Sequence, residues 1–305
     1  MFDYIIYHNN CFDGFTGFYL FMKTNKWKKN PIVYPDYPSS TKIPPNITGK
    51  NIIIIDVAYS ANIVKQIADE ANMILFIDHH VSIADDIQNL KLPSPHEIVY
   101  DINESGASLV WKYFFKNKPM PTFVKHIRDN DIGLWEMEHT FDFMVYIEMN
   151  LPTDPDFASL KQWDALLDEK YLDKIIVRGS IYNEYKTHLI EYNANRHTIV
   201  QFPSKKFTNK NSSVLNKTGQ YKVAIINNGC PSASLIGKYI VENFVCDFCM
   251  IWNYNVKKKK YIISMRSRKA DVGTIAKEFG GGGHKFASAF SFYGYRSHID
   301  DLFII

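Results

Sequence analysis

Residues 51–56 read Asn-Ile-Ile-Ile-Ile-Asp, and residues 73–80 read Met-Ile-Leu-Phe-Ile-Asp-His-His. Each is a short apolar run, rich in β-branched residues and stopped by an acid, as expected of a strand buried on both faces of a parallel sheet. Between them, Ile63, Val64, Ile67, Ala68 and Ala71 recur at helical spacing, and Ser60 stands just ahead as an N-cap. Strand, helix and strand within about thirty residues make a crossover unit. Strands are predicted over Asn51–Val57 and Met73–Asp78, and the alternation continues outward with strands at Tyr4–Tyr7 and near Ile32–Tyr34 upstream, and near Ile98–Tyr100 downstream. Ser105 introduces a helix over Ala107–Phe115, and the four prolines between Pro35 and Pro45 predict a loop.

Beyond residue 153 the pattern changes. Asp154 to Arg196 is helical and polar on one side, which predicts a connector. Pro203–Gly219, rich in Lys, Asn and Ser, reads as an exposed loop. Tyr221–Asn227, Cys246–Asn253 and Tyr261–Met265 read as strands, with Lys257–Lys260 as a tight turn, and Pro231–Asn243 and Val272–Phe279 read as helices. The expected architecture is α/β throughout: an N-terminal parallel-sheet domain (1–153), a helical connector (154–199) and a smaller C-terminal mixed α/β domain (200–305).

Composition excludes several classes. In 305 residues, a 46% hydrophobic content with 21 Phe and 19 Tyr is too apolar for a disordered chain. No apolar run approaches the roughly 20 residues of a membrane span, and Asp3 and His8 interrupt any signal-peptide core, so a cytoplasmic protein without a membrane partner is expected. A net charge of +3 does not demand a long nucleic-acid track. Cys246 and Cys249 lack a second ligand pair at zinc spacing and read as buried structural cysteines.

The chemistry gathers at strand ends. The first strand runs into His8-Asn-Asn-Cys-Phe-Asp13-Gly14, the 51–55 run into Asp56, and the 73–77 run into Asp78-His79-His80. In an open parallel sheet these ends share one edge, where such folds bind ligands. Asp129 and Asp131, after an apolar helix, offer two more carboxylates. A lone Asp at a strand end is ordinarily a cap, and a lone His ordinarily a satisfied polar residue. Their conjunction at successive strand ends points instead to a divalent cation, and the mixed Asp and His set suits Mn²⁺ better than Ca²⁺.

These residues resemble the DHH phosphoesterase superfamily, named for the triplet standing here as Asp78-His79-His80. The C-terminal third resembles the DHH-associated domain, through Ser264-Met-Arg266-Ser267-Arg268, Asp271-Val-Gly-Thr-Ile-Ala276 and Gly280-Gly-Gly-Gly-His284-Lys-Phe-Ala-Ser288-Ala. The string from Tyr7 to Phe15 and the segment Asn227–Ser234 resemble the oligoribonuclease and exonuclease branch. The resemblance implies a hydrolase with two Mn²⁺ ions. His8 would bind the first ion and Asp13 the second, Asp56 would bridge them, and His79 with Asp131, preferred to Asp129, would complete the second. Asp78 would orient His79 or touch a metal, and His80 would meet the phosphate. Family members often carry an aspartate four residues after the histidine, where this chain has Phe12. Two readings stay open there: Asn10 or Cys11 stands in, or the first ion is held more weakly.

The implied substrate site is Arg266, Ser267, Gly281, Gly282, Gly283 and His284. Glycine lets backbone approach a phosphate closely, and arginine offers a bidentate fork. The expected activity is Mn²⁺-dependent hydrolysis of short oligonucleotides to mononucleotides, with both domains meeting at a cleft. The alternatives are a cyclic-dinucleotide or 3'-phosphoadenosine 5'-phosphate hydrolase, and a non-catalytic nucleotide-binding module; oligomeric state is left open.

Overall fold

The computed structural model describes residues 1–38, 40–203, 221–227, 229–295 and 297–304. The loop expected over Pro203–Gly219 therefore lies, apart from Pro203, outside the described residues. The chain divides into two compact units, Met1–Asn183 and Glu184–Ile305.

In the first unit, β1 (Phe2–His8), β2 (Trp27–Asp36), β3 (Asn51–Ile55), β4 (Met73–Asp78) and β5 (Glu97–Tyr100) form one sheet in the order β2-β1-β3-β4-β5. All four pairings are parallel. The helices are α1 (Phe12–Met22), α2 (Ala61–Glu70), α3 (Ala84–Gln88), α4 (Gly106–Phe114), α5 (Thr122–Asp131), α6 (Thr140–Asn150), α7 (Phe157–Trp163) and α8 (Glu169–Ala194), the last crossing into the second unit.

Strand alternation explains the layers. Ile5, Tyr7, Ile53, Ile55, Leu75 and Ile77 pack into one core with α1, α4 to α7 and the start of α8. Their neighbours Tyr4, Ile6, Ile52, Ile54, Ile74 and Phe76 face the other way into a second core with α2 and α3. Both faces are buried, which is why the strands read as unbroken apolar runs. Ser60 and Ser105 accept backbone N–H bonds at the starts of α2 and α4, as the sequence predicts.

The second unit is a mixed sheet in the order β10-β11-β9-β8-β7-β6, built from β6 (Thr198–Phe202), β7 (Tyr221–Ile226), β8 (Phe248–Asn255), β9 (Lys260–Ser267), β10 (Gly282–His284) and β11 (Ala287–Tyr293). Among the described strands, β7 and β8 run parallel and the other neighbours antiparallel. Helix α9 (Ala233–Asn243) shares a core with Ala224, Ile226, Cys249 and Ile251 on one face. Helix α10 (Val272–Glu278) packs with Val223, Met250, Ile263 and Met265 on the other.

Some elements differ from the sequence reading. Pro35 and Asp36 extend β2 rather than open the loop. The tract read as a Gly-rich loop ends in a strand, β10, paired with β11. Asp129 and Asp131 lie in the last turn of α5, not after it. Cys249 is buried in β8, and Cys246 precedes that strand, half-buried. Among the described residues, no helix is long and apolar enough to cross a membrane.

Trp163 is fully buried under α1, near the rings of Phe12, Phe15 and Tyr19. Trp163→Ala is expected to cost about 3–5 kcal/mol. Urea denaturation followed by far-UV circular dichroism checks this, and a loss below about 1 kcal/mol would show that α7 does not brace α1.

Candidate metal centre

Register sets the first row of the site. Tyr7 pairs with Ile55, and Ile55 with Ile77, so the next residues, His8, Asp56 and Asp78, stand side by side at the carboxyl edge. With order β2-β1-β3-β4-β5, the connections leave β1 and β3 in opposite directions, so His8 and Asp56 flank the crevice where ligands bind in such sheets. Asp56 takes left-handed backbone, φ +63, which aspartate tolerates better than most residues.

Asp56 is the hub. Its Oδ2 lies 3.2 Å from His8 Nδ1, and its Oδ1 lies 3.1 Å from His79 Nε2. His79 Nε2 is also 3.2 Å from Asp131 Oδ2 and 3.9 Å from Asp13 Oδ2. Two groups result whose ligand atoms all lie within 4.8 Å of one another: His8, Asp56 and His80, and Asp13, His79 and Asp131.

Helix ends and backbone amides hold the rest. Asp13, in the first turn of α1, accepts bonds from Gly106 N at 2.5 Å and Ala107 N at 3.1 Å, the opening amides of α4. A Cβ on Gly106 would sit 2.6 Å from Asp56 Cβ and 2.9 Å from Asp13 Oδ2, so only glycine admits this approach. Asp78 Oδ1 accepts from His79 N at 2.6 Å, from His80 N at 2.8 Å, and faces His80 Nδ1 at 2.9 Å. Its Oδ2 is buried without a partner.

The structure separates residues the sequence left as alternatives. Asp129 faces away from His79, its carboxylate taking Thr140 Oγ1 at 2.6 Å and Glu136 N at 2.8 Å. Asn10 Nδ2 donates to Tyr37 Oη at 3.1 Å, and Phe12 packs toward Trp163. Cys11 lies near the centre, where burial and the charges of Asp56 and Asp13 push its thiol well up, so it stays protonated. His80, expected to meet phosphate, also stands within reach of His8 and Asp56. Its place could not be read from the sequence, because neighbouring residues after a strand are aimed by the local turn.

Burial and mutual charge perturb nearly every group of the cluster. Burial and the charges of Asp131 and Asp56 push Asp13 well above the carboxylate range. Burial and Asp56 push Asp131 up to about 6. Burial would raise Asp56 too, but its hydrogen bonds to His79 and His8 outweigh that and hold it at about 2. Burial works against a charged His79, yet Asp56, Asp13 and Asp131 lift it to about 9. Crowded carboxylates, imidazoles and the orphaned Asp78 Oδ2 fit a first-row divalent cation.

In the second unit, register aligns His284, Ala287 and Arg266 across β10, β11 and β9. His284 is exposed. Arg266 Nε reaches Ser234 Oγ at 3.4 Å and Nη1 donates to Met265 O at 2.8 Å. Ser267 is not brought to that surface: it is buried, donating to Asp247 O and accepting from Lys269 N and Ala270 N. Gly281 and Gly283 pack on β11, where a Cβ would meet Ala289 O at 2.2 Å and Ala287 O at 2.6 Å, whereas Gly282 faces open space.

No protein-family model matches the chain. A curated relative, the uncharacterized protein R106 of Acanthamoeba polyphaga mimivirus, is 29% identical over 310 residues, covering 96% of this chain and 68% of the relative. Among solved structures, the pGpG-specific phosphodiesterase PggH of Vibrio cholerae is similar over 95% of this chain and 93% of its own, with TM-score 0.54 and 15% identity. That likeness establishes a shared fold. An exopolyphosphatase-related protein of Bacteroides fragilis covers 95% of this chain and 86% of its own at TM-score 0.39 and 15% identity, too loose to build on. The chain thus shares the fold of that phosphodiesterase, while the motifs Asp78-His79-His80 and Gly280–His284 resemble those of the DHH phosphoesterase superfamily.

Two outcomes are expected. A divalent cation held by His79 and Asp131 would displace protons from both, so affinity for such an ion, probed with Mn²⁺, is expected to rise with pH from below 6 to about 9. Calorimetry at pH 7 in buffers of different ionisation heat should show proton release; heats independent of buffer would contradict it. Gly106→Ala should weaken Mn²⁺ binding on the order of ten- to a hundredfold, read by the same titration, and unchanged affinity would contradict the packing argument.

Proposed function

We propose that the chain is a divalent-metal-dependent phosphodiesterase that hydrolyses short oligonucleotides to mononucleotides, with two Mn²⁺ ions as its cofactors. The observation that carries this reading is the double reach of Asp56, one oxygen toward His8 and the other toward His79. A carboxylate placed so can bridge two ions, and such pairs, about 3.5–4 Å apart, activate a water and clamp phosphoryl oxygens for in-line displacement.

The chain's own residues have separable tasks. His8 and Asp56 form the first side, and Asp13, His79 and Asp131 the second. Asp13 is fixed by α4 amides, so its position does not depend on a flexible side chain. Asp78, fully buried, holds both histidine amides and the His80 ring. His80 is lifted above its ordinary value because its hydrogen bond to Asp78 outweighs the effect of burial. A cationic His80 would stabilise charge on a phosphoryl oxygen. Arg266, His284 and the backbone at Gly281–Gly283 are proposed to bind the nucleotide, Arg266 through its planar fork.

The net charge of +3 suits a local grip better than a track along long nucleic acid. The fold-sharing Vibrio protein is named for pGpG, which supports trying dinucleotides first.

The test is a panel of RNA and DNA oligomers from two residues upward, with a cyclic dinucleotide, 3'-phosphoadenosine 5'-phosphate and pyrophosphate, assayed with Mn²⁺. Mn²⁺-dependent release of mononucleotides from the short oligomers is expected. Asp56→Ala should abolish it, and His80→Ala should lower kcat by about 100- to 1,000-fold. Absence of turnover with every substrate would sink the enzyme, and full activity in Asp56→Ala would sink the site.

A further inference from the structure

The loop leaving the metal centre carries an aromatic surface that the centre does not use. After Asp131, Gly133 and Trp135 both take left-handed backbone, with φ +68 and +56. For a bulky residue such as Trp135 that conformation is costly and must be imposed by its surroundings.

The imposing group is Asp129. It is buried, and its backbone carbonyl takes Leu134 N at 3.0 Å. Its carboxylate takes Glu136 N at 2.8 Å, Met137 N at 3.4 Å and the Thr140 hydroxyl at 2.6 Å. A buried carboxylate thus fixes a loop whose tip is not itself buried. The Trp135 indole lies flat on Phe141, ring centroids 4.2 Å apart and planes 2° apart, yet the two residues are 47% and 56% exposed. Phe141 covers one face of the indole. A tryptophan serving the core would be covered on both, as Trp163 is.

Distance favours a role at the site. Four residues from Asp131 to Trp135 span at most about 14 Å even fully extended, and the turn shortens that. The base of a nucleotide whose phosphate lies at Asp131 and His79 falls in that range.

We propose that Trp135, backed by Phe141, is the stacking platform for one base of the substrate whose phosphate occupies the His/Asp centre. The proposal rests on the phosphodiesterase reading and narrows its substrate class to esters that carry a base. Every base has a π-face, so a lone platform of this kind admits nucleotides over base-less phosphates without choosing among bases.

Two readouts test it. In kinetics with Mn²⁺, a dinucleotide and the matching abasic dinucleotide are compared on wild type, Trp135→Ala and Trp135→Phe. Trp135→Ala should raise KM for the dinucleotide roughly five- to a hundredfold, the range for one base stacked on an aromatic side chain. The kcat should hardly move, the abasic substrate should be unaffected, and Trp135→Phe should retain most of the affinity. In binding, the emission lost between wild type and Trp135→Phe reports Trp135, and adenosine 5'-monophosphate should quench it while ribose 5-phosphate should not.

Equal change on both dinucleotides, no change on either, or emission indifferent to the nucleotide would overturn the platform. If wild type hydrolyses nothing yet the nucleotide quenches Trp135, the platform stands and the phosphodiesterase reading falls. If wild type cleaves the dinucleotide and Trp135→Ala matches it, the reading stands and the platform falls.

Discussion

Carboxylates crowded at one edge of the parallel sheet set the electrostatics of the candidate site in the N-terminal unit. Asp13, Asp56 and Asp78 are 2%, 1% and 0% exposed, and Asp131 joins them through His79. Like charges so placed cannot all ionise without positive partners. The strong shifts follow directly: Asp13 and Asp131 are pushed up, Asp56 is held down by two imidazoles, and His79 is lifted. Such a set of mutually perturbed carboxylates and imidazoles has the chemistry of a group that could hold divalent cations.

The fold makes that crowding tolerable. Parallel register delivers His8, Asp56 and Asp78 to one row without any loop having to find its way there. Helix α4 starts at the same edge and gives two amides to Asp13, whose negative charge suits a helix N-terminus. Gly106 is what lets that terminus come within contact of Asp56. Behind the row, apolar layers bury both faces of the strands.

Much of this is legible in the sequence. The runs at 52–55 and 73–77 are apolar throughout because both faces of their strands are buried, and the acids follow where those strands end. Other features were hidden for definite reasons. Asp129 and Asp131 differ by two residues in the last turn of α5, so they point to different sides, and sequence spacing alone does not say which side faces His79. Phe12 looked like a lost ligand, but α1 begins there and turns it toward Trp163, while the site gains His80 beside His8. Ser267 shared a motif with Arg266, yet alternation along β9 buries it. The glycine run read as a loop because glycine is a poor strand former, whereas close packing on β11 requires it at Gly281 and Gly283.

The central claim is that Asp56 bridges two ions. Anomalous diffraction at the manganese edge, from crystals grown with Mn²⁺, measures this directly. Two peaks about 3.5–4 Å apart are predicted, one beside His8 and Asp56 Oδ2, the other beside Asp13, His79, Asp131 and Asp56 Oδ1. A single peak, or none touching Asp56, would contradict the account.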